Sequence, residues 1–530
     1  INNLPIGQFY DIAFDGRDPY WLYGGLQDLG TFTFPSGTHS RGALTDEQTQ
    51  FLEYGDGFQV AVDPTDPRLV YTNSQNGRGY VVDLATREER RITPVPADTG
   101  TRYRFNWNTA ILVSPHDPHT YYYGADRLLK TTDRGTTWQE LSPDLTRNRP
   151  HWKSLGLGDG IPLRDSTTPS RDDGTGQYGN ITTISESSRA AGTLYVGTDD
   201  GNVQMTTDGG AHWTNLTPRF HLAAPHWVTA VVASRFDART AYVTFDGHTD
   251  DDLTPYVFKT TDGGATWASI AGDLPSGTPV KTLSEDPRNP RLLFAGTEFG
   301  LYWSFDGGRH WRFPGGSLPR VMVYRIVVDT ANNDLILGTY GRGAIILDDI
   351  RPLEAIDSAA GAEVLRLFPL RDATEFYQWR DQPLAGLRQF RAPNAPVGAL
   401  ISYAIAEPAP GGARPDSSVR IRIAAPDGSI VRELSGPGSP GLHRVLWDLR
   451  TAYAFTPQPS DSGFYGAPRA PYVAPGRYTI RVTAHGVTQA QPGVVRADPV
   501  ARSTPDGLRA RQAMSAAIDS KRWAGSGNNA

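Results

Sequence analysis

The feature that most constrains the fold is a short motif that occurs four times within the first 311 residues. The motif is [ST]-x-D-x-G-x-x-W, and it occupies residues 131–138, 206–213, 260–267 and 304–311. Asp and Gly favour a tight turn, because the carboxylate accepts backbone N–H bonds and Gly adopts angles that other residues avoid. We expect the Trp to start the next strand and to be buried between sheets. The motif, here called the Asp box, therefore predicts structural roles for Asp133, Trp138, Asp208, Trp213, Asp262, Trp267, Asp306 and Trp311.

Two further segments precede each box and complete a longer repeat. One is a strand with a Gly near its end, as in LYVGTDDGNV at 194–203. The other is a strand followed by a Pro-containing turn, as in KTLSEDPRNPRLLF at 281–294. Four short antiparallel strands of this kind are typical of a propeller blade, and about 4–8 blades close a ring. Seven first strands can be counted, so the sequence predicts an all-β fold in which residues 1–353 form a seven-bladed β-propeller.

The ends of this ring need their own explanation. Three blades, which start near residues 8, 56 and 322, lack a clean box, and residues 146–177 read as an inserted loop over one face. The chain opens with INNLP, where the last strand of a blade is expected, and the seventh blade lacks strands after Leu347. We therefore expect the chain to be the C-terminal part of a longer polypeptide, with its opening segment supplying an outermost strand that closes the ring.

The remaining residues lack the repeat. Residues 354–396 are predicted to be a connector packed on the propeller, and alternating segments over 397–499 predict an Ig-like β-sandwich with Trp447 in its core. Residues 500–530 are predicted to form a short helix, which begins at Pro505 and ends near Ser520, and a disordered tail.

Several segments resemble the BNR/Asp-box propeller superfamily, among them GGLQDLG, YGDGFQVAVDPTDPRLVY, VGTDDGNVQMTTDGGAHW and GTYGRGAIILDDI. Within it, the chain is similar to large secreted bacterial proteins of sortilin-like or glycosyl-hydrolase-like (xyloglucanase-type) character. The resemblance covers residues 3–350 almost continuously. It implies a polysaccharide or protein ligand and an upstream propeller in the same polypeptide. It also implies a secreted, periplasmic or cell-surface location in a bacterium.

Composition excludes several classes of chemistry. The chain has no Cys, which excludes disulfides, thiolate catalysis and zinc–thiolate sites. Its net charge of −6 does not favour a nucleic-acid partner, and no run of 18 apolar residues predicts a membrane span. We expect no cofactor and no resident metal. One exception stays open, since the acidic segment 245–255, with Asp246 and Asp252, can be a solvated loop, a calcium site or a substrate contact.

The candidate site lies on the propeller face opposite the boxes, where polar and indole side chains collect. Glycoside hydrolysis needs two carboxyl groups about 5–9.5 Å apart, and Asp28 and Asp56 are the first candidates for that catalytic pair. The alternative is that each caps a Gly turn. Two functions stay open: a glycoside hydrolase that shares its cleft with the upstream propeller, and a non-catalytic sortilin-like binding or scaffold propeller. The candidate ligand-binding residues are Asn106, Trp107, Asn108, Asp199, Asp200, His226, Trp227, Asp246, His248, Glu298 and Arg342.

Overall fold

The structure is a computed structural model that describes residues 6–39, 43–98, 100, 102–148, 178–356, 363–376, 378, 390–406, 418–453, 470–500 and 504–526. The prediction of an all-β chain is confirmed, because strands dominate these residues. Residues 1–5, most of the predicted inserted loop (149–177) and the end of the predicted tail (527–530) lie outside the described residues. The chain divides into two compact units: Ile1–Thr38, Leu44–Ile350 and Gly386–Ala392 form the first, and His39–Ala43, Arg351–Ala385 and Pro393–Ala530 the second.

The strands over the first 350 residues are β1 (Phe9–Phe14), β2 (Trp21–Leu26), β3 (Gly30–Pro35), β4 (Leu44–Thr45), β5 (Gln50–Glu53), β6 (Val60–Val62), β7 (Leu69–Ser74), β8 (Arg78–Asp83), β9 (Glu89–Arg91), β10 (Ile111–Val113), β11 (Tyr121–Gly124), β12 (Leu128–Thr131), β13 (Gln139–Glu140), β14 (Ile181–Glu186), β15 (Leu194–Thr198), β16 (Val203–Thr206), β17 (Thr214–Asn215), β18 (Trp227–Ala233), β19 (Ala241–Gly247), β20 (Asp252–Thr260), β21 (Ala268–Ser269), β22 (Val280–Glu285), β23 (Leu293–Thr297), β24 (Gly300–Ser304), β25 (Val323–Asp329), β26 (Asp334–Thr339) and β27 (Ala344–Leu347). The later strands are β28 (Leu365–Leu367), β29 (Ala373–Glu375), β30 (Arg391–Ala392), β31 (Ala399–Ile405), β32 (Ser418–Ala424), β33 (Ile430–Pro437), β34 (Gly441–Trp447), β35 (Gly476–Ala484) and β36 (Val487–Ala497). The α-helices are α1 (Arg351–Glu354) and α2 (Pro505–Ser526), and short 3-10 turns lie at Asp46–Gln48, Gln75–Gly77, Thr217–Phe220 and His248–Asp250.

The first unit is built from successive antiparallel sheets of three or four strands. Within the described residues these are β1-β2-β3-β5, β6-β7-β8-β9, β10-β11-β12-β13, β14-β15-β16-β17, β18-β19-β20-β21, β22-β23-β24 and β25-β26-β27. Their first strands contact one another in cyclic order, and β25 contacts β1. The ends of the ring also meet, since the Gly7 carbonyl accepts hydrogen bonds from the backbone N–H groups of Gly341 and Gly343. This arrangement is consistent with a propeller.

The glycines of the second strands let neighbouring sheets approach closely. A side chain on Gly197 of β15 would place its Cβ 2.3 Å from Val228 Cγ1 of β18. On Gly296 of β23, the Cβ would lie 2.5 Å from the Val323 carbonyl oxygen of β25. These glycines lie inside strands, rather than in the turns that follow them. They are needed because the next first strand passes directly over them.

The four Asp boxes share one turn geometry. Asp306 accepts hydrogen bonds from the Ser304 hydroxyl at 2.8 Å and from the His310 backbone N–H at 3.0 Å. Asp133, Asp208 and Asp262 accept the corresponding pairs of bonds. The expectation of full burial holds for Trp311, whereas the rings of Trp138, Trp213 and Trp267 are half-buried. The boxes lie at a sheet end, next to exposed turn residues, which leaves part of these rings uncovered.

The second unit contains two sheets with a shared apolar core. The sheets are β28-β31-β34 and β29-β36-β35-β32-β33, and only the β29–β36 pair in them is parallel. Trp447, predicted to lie in the core, is buried and donates its indole N–H to the Arg450 carbonyl at 3.0 Å. Helix α2 begins at Pro505 as expected but extends beyond Ser520 to Ser526.

Candidate functional site

The first strands of the sheets surround one central cavity. Its volume is about 450 Å³. Each of the seven sheets of three or four strands contributes a side chain at or just before its first strand, so the cavity depends on the whole ring. These side chains are Tyr10, Gln59, Asn108, Thr182, Trp227, Lys281 and Tyr324.

One side of the cavity carries a cluster of charges. Lys281 is the second residue of β22, Asp246 lies near the end of β19, and Glu298 follows β23. Lys281 Nζ is 2.5 Å from Asp246 Oδ2 and 3.5 Å from Glu298 Oε2, so these two carboxylate oxygens are at most 6.0 Å apart. The Lys281 and Asp246 side chains are only 8% and 5% exposed. A nearly buried ammonium therefore holds two carboxylates at the cavity wall.

Asp246 is kept ionised by its neighbours. Burial alone would raise its pKa, but hydrogen bonds from His248 and the charge of Lys281 outweigh burial and bring the pKa of Asp246 to about 2. His248 contributes twice, since its backbone N–H lies 2.9 Å from Asp246 Oδ1 and its Nδ1 lies 2.8 Å from Oδ2. At neutral pH this carboxyl group is an anion and cannot donate a proton.

The other side of the cavity is aromatic and amide-lined. The ring of Tyr10 meets the ring of Tyr324 edge-on at 5.4 Å and that of Tyr340 at 5.5 Å. Desolvation by burial raises the pKa of Tyr324 to about 12, so its hydroxyl stays protonated. Nearby, Gln59 Nε2 donates to Asn108 Oδ1 at 3.1 Å. This side offers ring faces and neutral hydrogen-bonding groups.

Some of the predicted ligand-binding residues line this cavity. They are Asn108, Trp227, Asp246, His248 and Glu298. The others, and both candidate catalytic residues, are not among the residues that line it.

A hydrogen bond connects Asp28, in the turn after β2, with Asp56, which precedes β6. Asp56 is buried, and its Oδ1 accepts a hydrogen bond from the Asp28 backbone N–H at 2.8 Å. Asp28 is exposed and adopts a φ of 60° between β2 and β3. The contact fits the turn-capping interpretation of Asp56.

Asp199 is fully occupied by structural hydrogen bonds. It accepts from the backbone N–H groups of Gly179 and Asn180 at 2.9 and 2.8 Å, and from the side-chain amides of Asn106 and Asn180, each at 2.9 Å. Burial, with the charge of Asp200 beside it, raises the pKa of Asp199 to about 7. Asp200 is also buried and accepts from the Thr198 hydroxyl and the Arg147 backbone N–H.

The remaining candidates lie in separate environments. His226 is buried, lies 3.3 Å from Asp252 through Nε2, and stacks on Tyr256. The half-buried Trp107 ring meets the Phe58 ring at 6.2 Å, and Arg342 is exposed after β26.

Sequence reasoning missed Tyr10, Gln59, Lys281 and Tyr324, which sit at or next to first strands and face the ring axis. One signal was present in the sequence. Only five of the 51 basic residues are Lys, and Lys281 stands at the start of a first strand. For the calcium hypothesis, we find no group of three or more His, Cys, Asp or Glu in the described parts of the chain that could hold a metal ion.

One curated protein is similar to part of the chain in sequence. No protein-family model matches the chain. A probable oligoxyloglucan-reducing end-specific xyloglucanase of Neosartorya fischeri is 25% identical over 305 residues, which are 48% of this chain and 33% of that protein. The chain therefore spans about a third of that relative's length.

Three solved structures are similar to the chain at 15–16% identity. A GH74 xyloglucanase from Xanthomonas campestris is 15% identical, with a TM-score of 0.45, over 94% of this chain and 75% of that one. A GH74 enzyme of Niastella koreensis is 16% identical with a TM-score of 0.41 over the same shares. YCF48 from Cyanidioschyzon merolae is 15% identical with a TM-score of 0.41 over 67% of this chain and 98% of that one. Separately, no helix within the described ranges is both long and apolar enough to cross a membrane.

Proposed function

We propose that this chain is a glycoside-hydrolase-like propeller that binds a polysaccharide at the mouth of its central cavity. The observation that carries the proposal is the convergence on one cavity of aromatic rings and amides at or next to first strands with two carboxylates, Asp246 and Glu298, at the ends of second strands. In this proposal the sheets of the first unit are seven blades of an Asp-box ring, and the second unit contains an Ig-like sandwich.

The composition of the cavity suits a sugar. Sugar rings present apolar faces that pack on aromatic rings, and hydroxyl groups that bond to amides and carboxylates. Trp227 lies on one wall, Tyr324 on another, and Asn108, Asp246 and Glu298 provide polar groups. The xyloglucanase name of the relative from Neosartorya fischeri supports the same class of ligand.

Cleavage of a glycosidic bond needs more than this chain provides. A retaining glycosidase holds its two carboxyl groups about 5–5.5 Å apart, and one of them must carry a proton. The carboxylate oxygens of Asp246 and Glu298 that contact Lys281 are at most 6.0 Å apart, but the Lys281 ammonium contacts both of them and lies where the scissile bond would have to bind. We therefore propose that the upstream propeller of the same polypeptide completes the hydrolytic site, and that this chain alone binds polysaccharide without cleaving glycosidic bonds.

The binding proposal is tested by titrating the purified chain with xyloglucan in a calorimeter. We expect saturable binding that weakens at least about fivefold in Trp227→Ala, since stacking aromatic groups contribute about 1–3 kcal/mol. Trp303→Ala is the matched control, because Trp303 is also half-buried but does not line the cavity. Absence of binding to any neutral polysaccharide would contradict the proposal.

The alternative is a non-catalytic sortilin-like binding or scaffold propeller for a protein or glycan partner. The ionised, Lys-paired state of Asp246 favours it, because a paired carboxylate suits recognition better than proton donation. Capture of a protein ligand that competes with polysaccharide, with no cleavage even beside the upstream propeller, would favour this alternative.

The proposed location is secreted, periplasmic or at the surface of a bacterial cell. A protein that binds an extracellular polysaccharide such as xyloglucan must itself be outside the cytoplasm, which supports this location. Fractionation of the source cells tests it, and recovery of the protein only with cytoplasmic markers would contradict it.

A further inference from the structure

His248 and Asp246 form an anchored pair at the cavity wall. His248 Nδ1 lies 2.8 Å from Asp246 Oδ2, and Lys281 Nζ lies 2.5 Å from the same oxygen. The carboxylate is buried, whereas the His248 side chain is 50% exposed and lines the cavity. The imidazole is therefore fixed at its inner nitrogen while its outer part stays accessible to a ligand.

The position of the imidazole proton follows from these contacts. Asp246 is an anion at neutral pH, so it accepts a hydrogen bond and Nδ1 must donate it. Neutral His248 then carries its proton on Nδ1 and keeps a lone pair on Nε2. In the described part of the chain, no hydrogen bond to His248 Nε2 is found. A histidine oriented in this way by a carboxylate has the arrangement of a general base.

Other His–Asp pairs in the molecule lack this setting. His212 and His310 contact Asp208 and Asp306 through Nδ1 at 2.6 Å, but both lie exposed in Asp-box turns. His226 is buried against Asp252. Of the pairs named, only His248–Asp246 lines the central cavity beside an ammonium group. His248 therefore has the setting of a base that can reach a ligand, whereas His212 and His310 only stabilise Asp-box turns.

Lys281 provides a positive charge beside the imidazole, which the hydrolysis of an acyl ester needs in order to stabilise its oxyanion. An ammonium group has three N–H donors, and the two carboxylates engage at most one each in the contacts described. His248 Nδ1 and Lys281 Nζ converge on the same oxygen, so the base and the cation are neighbours. A cation next to a developing oxyanion stabilises it.

We propose that His248, Asp246 and Lys281 hydrolyse acyl esters carried by the bound glycan. His248 Nε2 takes a proton from water as the water oxygen bonds to the acyl carbon, and the resulting oxyanion lies beside Lys281. The bond from the acyl carbon to the sugar oxygen then breaks, and the imidazolium returns its proton to that oxygen. The products are a carboxylic acid and a sugar hydroxyl, with no redox change. Asp246 acts as a positioning residue. For a polymeric substrate the proposal rests on the proposed polysaccharide binding.

The test uses the full chain with p-nitrophenyl acetate and with an O-acetylated xyloglucan. We expect His248→Ala to lower kcat/KM for both esters by at least about 100-fold, the usual size of a general-base contribution. His212→Ala is the matched control, since it removes an exposed His–Asp pair, and we expect no change in rate. Exogenous imidazole should restore p-nitrophenyl acetate turnover by His248→Ala. For Asp246→Asn acting on p-nitrophenyl acetate, which has no sugar, we expect a lower kcat at unchanged KM and an altered pH profile. Equal denaturation midpoints for His248→Ala and the unaltered chain verify folding.

The outcomes separate this proposal from the preceding one. Equal ester cleavage by the unaltered chain and His248→Ala would overturn the ester proposal, whether or not xyloglucan binds. Bound xyloglucan with no turnover of either ester would also overturn it, while leaving polysaccharide binding intact. Cleavage of p-nitrophenyl acetate that depends on His248 in a chain that does not bind xyloglucan would support the His248 base and overturn the proposed polysaccharide binding.

Discussion

The two ends of the sheets use carboxylates in different ways. At the Asp-box end, Asp306 bonds to residues no more than four positions away, Ser304 and His310. At the opposite end, Asp199 binds the Asn106 amide across 93 residues, and Asp246 pairs with Lys281 across 35. The difference arises because the box is a complete turn within one sheet, whereas the opposite end is assembled from several sheets around the cavity.

This contrast implies that the box stabilises its own turn, while the opposite end depends on ring closure. Loss of a box carboxylate should therefore have a small and local effect. Loss of a carboxylate at the opposite end should affect the packing of sheets, because it leaves buried donors from different elements unpaired.

The largest expected effect is from Asp199→Ala. Removal of this buried carboxylate leaves amide donors of Gly179, Asn180 and Asn106 without their acceptor. We expect the free energy of unfolding to fall by about 3–5 kcal/mol, because each buried donor left unpaired costs about 1–3 kcal/mol. Urea denaturation followed by tryptophan fluorescence measures the change. A loss below about 1 kcal/mol would show that this end tolerates local defects as well as the boxes do.

The second prediction concerns pH and Glu53, a buried carboxyl group on β5. In the described structure neither of its carboxylate oxygens has a hydrogen-bond partner, and desolvation raises the pKa of Glu53 to about 7. Thr72 and Ser74 oppose that shift, and Glu89 adds to it. The folded chain thus keeps a proton that the unfolded chain releases above its ordinary pKa of about 4.3.

Stability from Glu53 is therefore greatest below about pH 4.3, falls as the pH rises towards 7, and is level above 7. Glu53→Gln should remove this dependence of stability on pH. At pH 8 we expect its free energy of unfolding to exceed that of the unaltered chain by about 3 kcal/mol. Denaturation of both proteins across pH 4.5–8 measures the difference. Parallel stability curves would contradict the prediction.

A smaller effect is expected where sheets pass close to each other. Gly197→Ala forces a Cβ against Val228, and we expect a loss of about 2 kcal/mol from overpacking. Gly16→Ala is the control, because an added Cβ there meets nothing within 4 Å. Equal stability of the two variants would contradict the close approach of these sheets.

The smallest effect is expected at a box. Asp306→Ala removes the acceptor of the turn, and we expect a loss of about 1 kcal/mol, comparable to loss of a helix cap. A loss as large as that of Asp199→Ala would remove the contrast between the two ends.

The same contrast explains how much of the molecule was predictable. Asp306 and its box were readable because the bonding partners, Ser304 and His310, lie within four positions of it in the sequence. The ring-like repeat and the all-β class followed from these local units.

The candidate site was readable only in part, since five of the predicted ligand-binding residues line the cavity. Lys281 and Tyr324 were missed because their roles arise from partners on other sheets. The bond from the Asp28 backbone N–H to Asp56 was not readable, because it depends on how β2 and the turn before β6 meet.

A crystal structure of the chain with a xyloglucan oligosaccharide would show whether the cavity receives a glycan. We expect sugar density in the cavity mouth, in contact with Trp227 and near Asp246 and Tyr324. Density confined to the Asp-box end, or an empty cavity at concentrations that saturate binding in solution, would contradict it.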